Sequence, residues 1–174
     1  VGVFGTCGGG MSLVPALADF AFAVSGKGEI FVNSPDALEG NRVEMCNTAS
    51  SDFHGQISGD IDGACEDDFE VLVKIRQLVS ILSSNNKEDA FCMSAVSDDL
   101  NRENPVLGMT RDTAYILRDI SDNGTFFEVK PNYGREMVTA FITLNGNTVG
   151  AVANREEVLG EDGSVAEQFE PVLT

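Results

Sequence analysis

Apolar and polar positions along the chain switch between two periods, and the switches outline the elements. Strands are predicted where β-formers alternate or run together: the opening Val1–Phe4, Phe20 with Phe22 and Val24, Glu29–Val32, Phe126–Val129 and Met137–Leu144. Asn145-Gly146 then turns the chain, and Thr148–Asn154 pairs back as a β-hairpin. A helical period appears in Phe69, Leu72, Ile75, Val79 and Leu82, which predicts a helix from Glu66 to Leu82 with those residues as its apolar stripe. Ser83-Ser84-Asn85-Asn86 stops it. A second helix is expected over Arg111–Ile120, ended by Asp122-Asn123-Gly124. Ser34 and Pro35 suit the N-cap and first position of a short helix running into Asp36-Ala37-Leu38. Gly40–Gly63 reads as polar and turn-rich, Ser94–Leu107 as a polar loop, and the tail from Arg155 as acidic and weakly patterned.

The stretch with chemical content is Gly5-Thr6-Cys7-Gly8-Gly9-Gly10-Met11, between the first strand and a short helix. Three glycines remove every Cβ from the turn, so a ligand can lie against the main chain. The first N–H groups of a helix lack internal partners and carry partial positive charge. Such donors can bind an anion or stabilise an oxygen that becomes negative during reaction. A tight βα turn that merely lets the helix pack closely on the sheet fits the same residues. No Gly-Lys-Ser/Thr follows, which excludes a Walker A loop, and the spacing does not match the dinucleotide fingerprint.

Composition narrows the partners. With 174 residues, 43% of them hydrophobic and 22% charged, the chain is long enough for one domain with a real core. Eleven basic against 28 acidic residues give a net charge of −17, which argues against nucleic acid. An anionic ligand would depend on local donors, since the overall field repels it. Cys7, Cys46, Cys65 and Cys92 are widely spaced and read as reduced thiols in a cytoplasmic protein. Cys7 has no identifiable basic partner and reads as a small packed residue. His54 is the single histidine, a structural hydrogen-bonder by expectation. Asp60 and Asp62 lack EF-hand spacing, and Glu66, Asp67 and Asp68 suit a helix N-terminus better than a calcium loop. No transmembrane run or signal peptide is evident, and the opening on a strand without methionine reads as a piece of a longer protein.

Taken in order, these segments resemble the carboxyltransferase subunits of biotin-dependent acyl-CoA carboxylases and decarboxylases, the propionyl-CoA carboxylase β and methylmalonyl-CoA carboxyltransferase family. The resemblance rests on Gly5-Thr6-Cys7-Gly8-Gly9-Gly10 with Pro15-Ala16-Leu17 and Asp19-Phe20, then Ile30-Phe31-Val32 with Ser34-Pro35-Asp36. It continues through His54, Ser58-Gly59, Glu66-Asp67, Ile75-Arg76 and Asn85-Asn86 to Asp122–Glu128 and Val149–Asn154. It implies an α/β fold, a ClpP/crotonase-like superhelix of β-β-α units. Residues 1–154 would be the later part of the N-terminal carboxyltransferase domain, and 155–174 an acidic linker or the start of the inter-domain segment.

The activity implied is movement of a carboxyl group between carboxybiotin and the α-carbon of a short acyl-CoA, through a thioester enolate. Gly9 and Gly10 match the family's oxyanion-hole glycines and would be catalytic through their N–H groups. Gly8 and Met11 would contact substrate, Gly8 by shaping the turn and Met11 by lining the acyl pocket. Biotin would arrive on a biotin carboxyl carrier protein, the other partners being acyl-CoA and further carboxyltransferase subunits in a homo-oligomer, with no metal, no nucleic acid and no direct membrane insertion. The departures are Thr6 where the family commonly has proline, Gly8 where alanine is usual, and Asn154-Arg155 in place of Asn-Gln-Pro. A non-catalytic scaffold, or a biotin-independent crotonase-type acyl-CoA enzyme, are the alternatives. As a piece, the chain is expected to be inactive alone and prone to associate through exposed strand edges.

Overall fold

The computed structural model describes residues 1–37, 46–83, 85, 87, 98–99, 101–160 and 162–170. Cys92, Leu38, and Ser84 and Asn86 of the expected helix stop lie outside the described residues. The chain is mixed α/β and divides into two compact units, Val1–Arg76 with Lys130–Tyr133, and Gln77–Val129 with Gly134–Thr174.

In the first unit short strands come in pairs, each pair followed by a helix. Strands β1 (Gly2–Val3) and β2 (Thr6–Gly8) lead to α1 (Leu13–Leu17), while β3 (Phe22–Val24) and β4 (Glu29–Phe31) lead to α2 (Ser51–Phe53). Then β5 (Gly63–Cys65) precedes α3 (Asp68–Ile81), whose residues from Gln77 on are counted in the second unit. Each strand pairs in parallel with the next but one: β1 with β3, β3 with β5, and β2 with β4. Val3, Ala21, Ala23 and Ile61 are buried together, with Cys7, Ile30 and Ala64 against them. Small residues here let the parallel strands and their crossovers approach closely.

Two elements of this unit fall in the stretch read as turns. Ser50 caps α2 by accepting from Phe53 N–H at 3.1 Å, and the helix loosens into a π-turn over His54–Ser58. In strand β5, Gly63 faces the Phe22 ring, 3.1 Å from where a Cβ would stand. Isolated strands of three residues with small side chains leave no periodic signal.

Helix α3 corrects the expected stripe. Phe69, Leu72 and Val79 are 72, 56 and 69% exposed, whereas Val71, Leu78 and Ile81 are 0, 5 and 8% exposed. The period was right and its phase was wrong. Lys74 interrupts the buried row in sequence, with its Nζ 3.6 Å from the Glu70 carboxylate, so the row does not read as apolar. The first turn is held by acidic side chains as expected: Asp67 accepts from Glu70 N–H at 2.8 Å and Glu70 from Glu66 N–H at 2.7 Å.

The second unit contains α4 (Thr113–Ile120) and the antiparallel meander β6 (Phe126–Val129), β7 (Met137–Leu144) and β8 (Asn147–Asn154). Ala114 on α4 packs with Val138 and Ala140 of β7, with Leu117 and Phe126 beside them. Asn145 and Gly146 both have positive φ, 51° and 78°, the conformation that a two-residue hairpin turn needs. Asp122 fixes that turn by accepting from both N–H groups, at 3.0 and 2.7 Å. The acidic tail is ordered as a second hairpin, β9 (Glu157–Leu159) with β10 (Val165–Gln168).

A buried charge cluster ties this unit together. Asp112 caps α4 through Ala114 N–H at 3.1 Å, accepts from Leu159 N–H at 3.0 Å and from Arg155 Nε at 2.9 Å. Arg155 also lies 3.3 Å from Glu128 of β6. Asp112 and Arg155 side chains are 2 and 5% exposed. Burial pushes the Glu128 carboxyl above its ordinary range, against the pull of Arg155.

Candidate active site

The glycine turn is built by the pairing of β2 with β4. Their register sets Thr6 beside Glu29, Cys7 beside Ile30 and Gly8 beside Phe31. Thr6 Oγ1 donates to Glu29 Oε2 at 2.9 Å, which anchors the strand start. Gly9–Ser12 then form a 3₁₀ turn that runs into the five residues of α1. Gly9 has φ +63°, a conformation glycine adopts freely.

The carbonyl acceptors of the turn are occupied. Ser12 Oγ donates to Gly9 O at 2.7 Å, Cys7 Sγ to Met11 O at 3.1 Å, and Leu13 N–H to Gly10 O and Met11 O. Gly9 and Gly10 open the turn, and the first N–H groups of such a turn have no acceptor inside it. A Cβ built on either glycine would meet nothing within 4 Å. The main chain is therefore open to an incoming group at these two residues. At Gly8 the surroundings differ: a Cβ there would lie 2.8 Å from Phe31 Cε2. The Phe31 ring takes the room that glycine leaves. Met11 is 64% exposed, so its side chain stands free beside the donors.

Behind the turn lies a cavity of about 260 Å³. It is lined by Ser12, Leu13, Pro15 and Ala16 of the turn and α1, by Ile30, Phe31 and Val32 of the β4 region, and by His54 and Asp60. His54 is held on both ring nitrogens: Nε2 is 2.9 Å from Ile30 O, and Nδ1 is 3.1 Å from Ser58 Oγ and 3.2 Å from Asp60 Oδ2. Ser58 Oγ donates to Asp60 at 2.6 Å, and this bond first, then His54, holds the Asp60 carboxyl below its usual range. His54 is thus a structural hydrogen-bonder, as its sequence context suggested.

A distant segment closes over this loop. Gly59 has φ +71°, and a Cβ on it would fall 2.9 Å from the Tyr133 ring. Lys130 Nζ donates to Gly59 O and stands 3.8 Å from Asp62, which accepts from Ala21 N–H at 2.8 Å. Neither Phe31 nor Lys130 carries a sequence signal for the site. Only the register of β2 with β4, and the return of residues 130–133, bring them there.

A family model described as a carboxyl transferase domain matches residues 1–167. The chain belongs to that family. Methylmalonyl-CoA decarboxylase subunit alpha of Veillonella parvula is 31% identical over 168 residues, covering 90% of this chain and 33% of that protein. Propionyl-CoA carboxylase beta chain of Roseobacter denitrificans is 31% identical over 169 residues, again 90% and 33%. The crystal structure of transcarboxylase 12S with methylmalonyl-coenzyme A and methylmalonic acid bound, described as a hexamer assembly, superimposes with a TM-score of 0.78 at 30% identity, covering 88% of this chain and 31% of that one. The chain spans about a third of the length of the curated relatives it matches. The family resemblance read from Gly5–Gly10 and the later segments therefore holds. Among the described residues no helix is long and apolar enough to cross a membrane.

Proposed function

We propose that the chain is part of a biotin-dependent acyl-CoA carboxyltransferase of the propionyl-/methylmalonyl-CoA type. The observation that carries this reading is the open main chain at Gly9 and Gly10 in a chain of the carboxyl transferase domain family. Loss of the α-proton of an acyl thioester leaves an enolate, and its oxygen needs donors already in place. The Gly9 and Gly10 N–H groups fill that role. They cost no reorganisation, because the turn is fixed by Ser12 Oγ on Gly9 O and by its run into α1. Gly8 keeps the approach narrow, and Met11 offers an exposed thioether to the substrate beside the donors.

Biotin on a carrier protein supplies the carboxyl group. The space open at Gly9 and Gly10 suits a carbonyl-bearing group delivered from outside. No side chain of this chain is assigned as base or as biotin ligand. Met11, Leu13, Val14 and Leu17 are all exposed on the turn and α1, an apolar face of the kind a neighbouring subunit covers, so the partners include further carboxyltransferase subunits in a homo-oligomer. The skip-one parallel pairing of β1, β3 and β5 beside β2 and β4 supports a crotonase-like superhelix, with residues 1–154 in the N-terminal domain of the subunit. Free Cys7, Cys46 and Cys65 fit a cytoplasmic setting.

The test is carboxyl transfer from carboxybiotin to a panel of acyl-CoAs by the assembled enzyme, with and without Gly10→Val. Biotin-dependent transfer, reduced about 10²–10³-fold by the variant, is the expected result. Turnover of acyl-CoA without a biotin carrier, or no transfer by folded protein, overturns it.

A further inference from the structure

We propose that the cavity behind the glycine turn receives the acyl chain of the thioester, and that Phe31 is the residue that sets the length accepted. The inference rests on the acyl-CoA reading above and names a determinant of its specificity.

Position comes first. The turn Gly9–Ser12 begins with the open main chain of Gly9 and Gly10, while its last residue, Ser12, and the following Leu13 wall the cavity. A thioester whose oxygen lies on the donors has its carbon chain within reach of that wall. The wall chemistry fits a hydrocarbon. Leu13, Pro15, Ala16, Ile30 and Val32 are apolar; Ser12 is engaged with Gly9 O, His54 with Ile30 O, and Asp60 through Oδ2 with Ser58 and His54, the rest of its carboxylate facing solvent. An apolar guest leaves none of these groups without a partner. The volume, about 260 Å³, lies below the roughly 300–1,000 Å³ of pockets for drug-sized ligands. It suits a short chain.

Phe31 stands where the two parts meet. In register with Gly8, its ring occupies the space a Gly8 Cβ would need, with Cε2 at 2.8 Å and Cζ at 3.0 Å from that point. Gly8 immediately precedes the donors, and Phe31 is also a cavity wall. Its ring therefore bounds the space next to the reacting carbonyl. Removing the ring enlarges that space, and adding bulk at Ala16, another wall residue, reduces the cavity.

The experiment compares wild type, Phe31→Ala and Ala16→Leu in the assembled enzyme, each checked for folding by thermal melting. Two profiles are read for acetyl-, propionyl-, butyryl- and hexanoyl-CoA: equilibrium binding, and carboxyl-transfer kcat/KM. Phe31→Ala is expected to raise the hexanoyl-to-propionyl ratio by about tenfold or more, and Ala16→Leu to move preference towards acetyl. Folded variants whose chain-length profiles run parallel to wild type overturn the inference, as does wild type that binds no acyl-CoA. Shifted binding profiles without any carboxyl transfer sustain the cavity assignment and overturn the carboxyltransferase reading instead. If Phe31→Ala fails to fold, the direction of the Ala16→Leu shift decides.

Discussion

In the unit of residues 1–76 and 130–133 the proposed site is made of main chain; in the other unit a cluster of buried charged side chains holds shape. The first unit pairs short strands in parallel around alanines and glycines, and leaves open space beside the main chain at Gly9 and Gly10. The second sets a guanidinium between two carboxylates under an antiparallel meander. A site made of backbone tolerates varied side chains around it but no added Cβ where the ligand approaches. A buried ion cluster tolerates no loss of a partner, because the remaining charge stays behind in a poor solvent. The two regions should therefore fail in different ways.

Arg155→Ala tests this most severely. It strands Asp112 and Glu128 together and should cost about 3–5 kcal/mol, read as lost urea stability and lost amide protection in α4 and β8. An undisturbed second unit would break the comparison. Gly10→Val should do the reverse, cutting turnover while thermal stability stays near wild type, since its added atoms start in open space. Gly59→Ala comes next, at about 1–3 kcal/mol, from a left-handed φ of +71° and the Tyr133 ring. Its loss should appear in hydrogen exchange of the first unit.

The smallest effect is a difference of sign with pH. Glu128 binds its proton more tightly in the native state than unfolded, so its contribution is present at low pH and is lost as pH rises through its native pKa. Asp60, held down by Ser58, behaves oppositely: its contribution is present above its unfolded pKa and lost as pH falls through the native one. Urea stabilities of Glu128→Gln and Asp60→Asn, each subtracted from wild type between pH 7 and about 3, should drift in opposite directions. Parallel drifts would sink both assignments.

The long, strongly patterned elements were legible in the sequence. Strands β6 and β7 begin and end where alternation placed them, and the Asn145-Gly146 hairpin follows from its turn residues. The glycine turn was legible too, because Gly-Gly-Gly has a direct backbone meaning. Harder to see were features set by partners far along the chain. The buried face of α3 depends on Val71 lying near Gly2, and Lys74 masks it. Strand β5 and the capped α2 are too short for periodicity to register. Phe31 reads only as a strand residue until β2 is laid beside β4. Arg155 reads as the start of an acidic tail, yet its partners are Asp112 and Glu128, each more than 25 positions earlier.

The return of Lys130–Tyr133 onto Gly59 has a consequence in time. The Lys130 bond to Gly59 spans 71 positions. During synthesis at about 5–20 residues per second, the His54–Asp62 loop emerges on the order of several seconds before its clamp exists. Over that interval Asp62 has its bond to Ala21 N–H but no lysine beside it, and Gly59 has no ring over it. The second unit's helix α4 and strand β6 emerge inside the same interval. The unit that bears the glycine turn begins first and finishes only after part of the other has already been made.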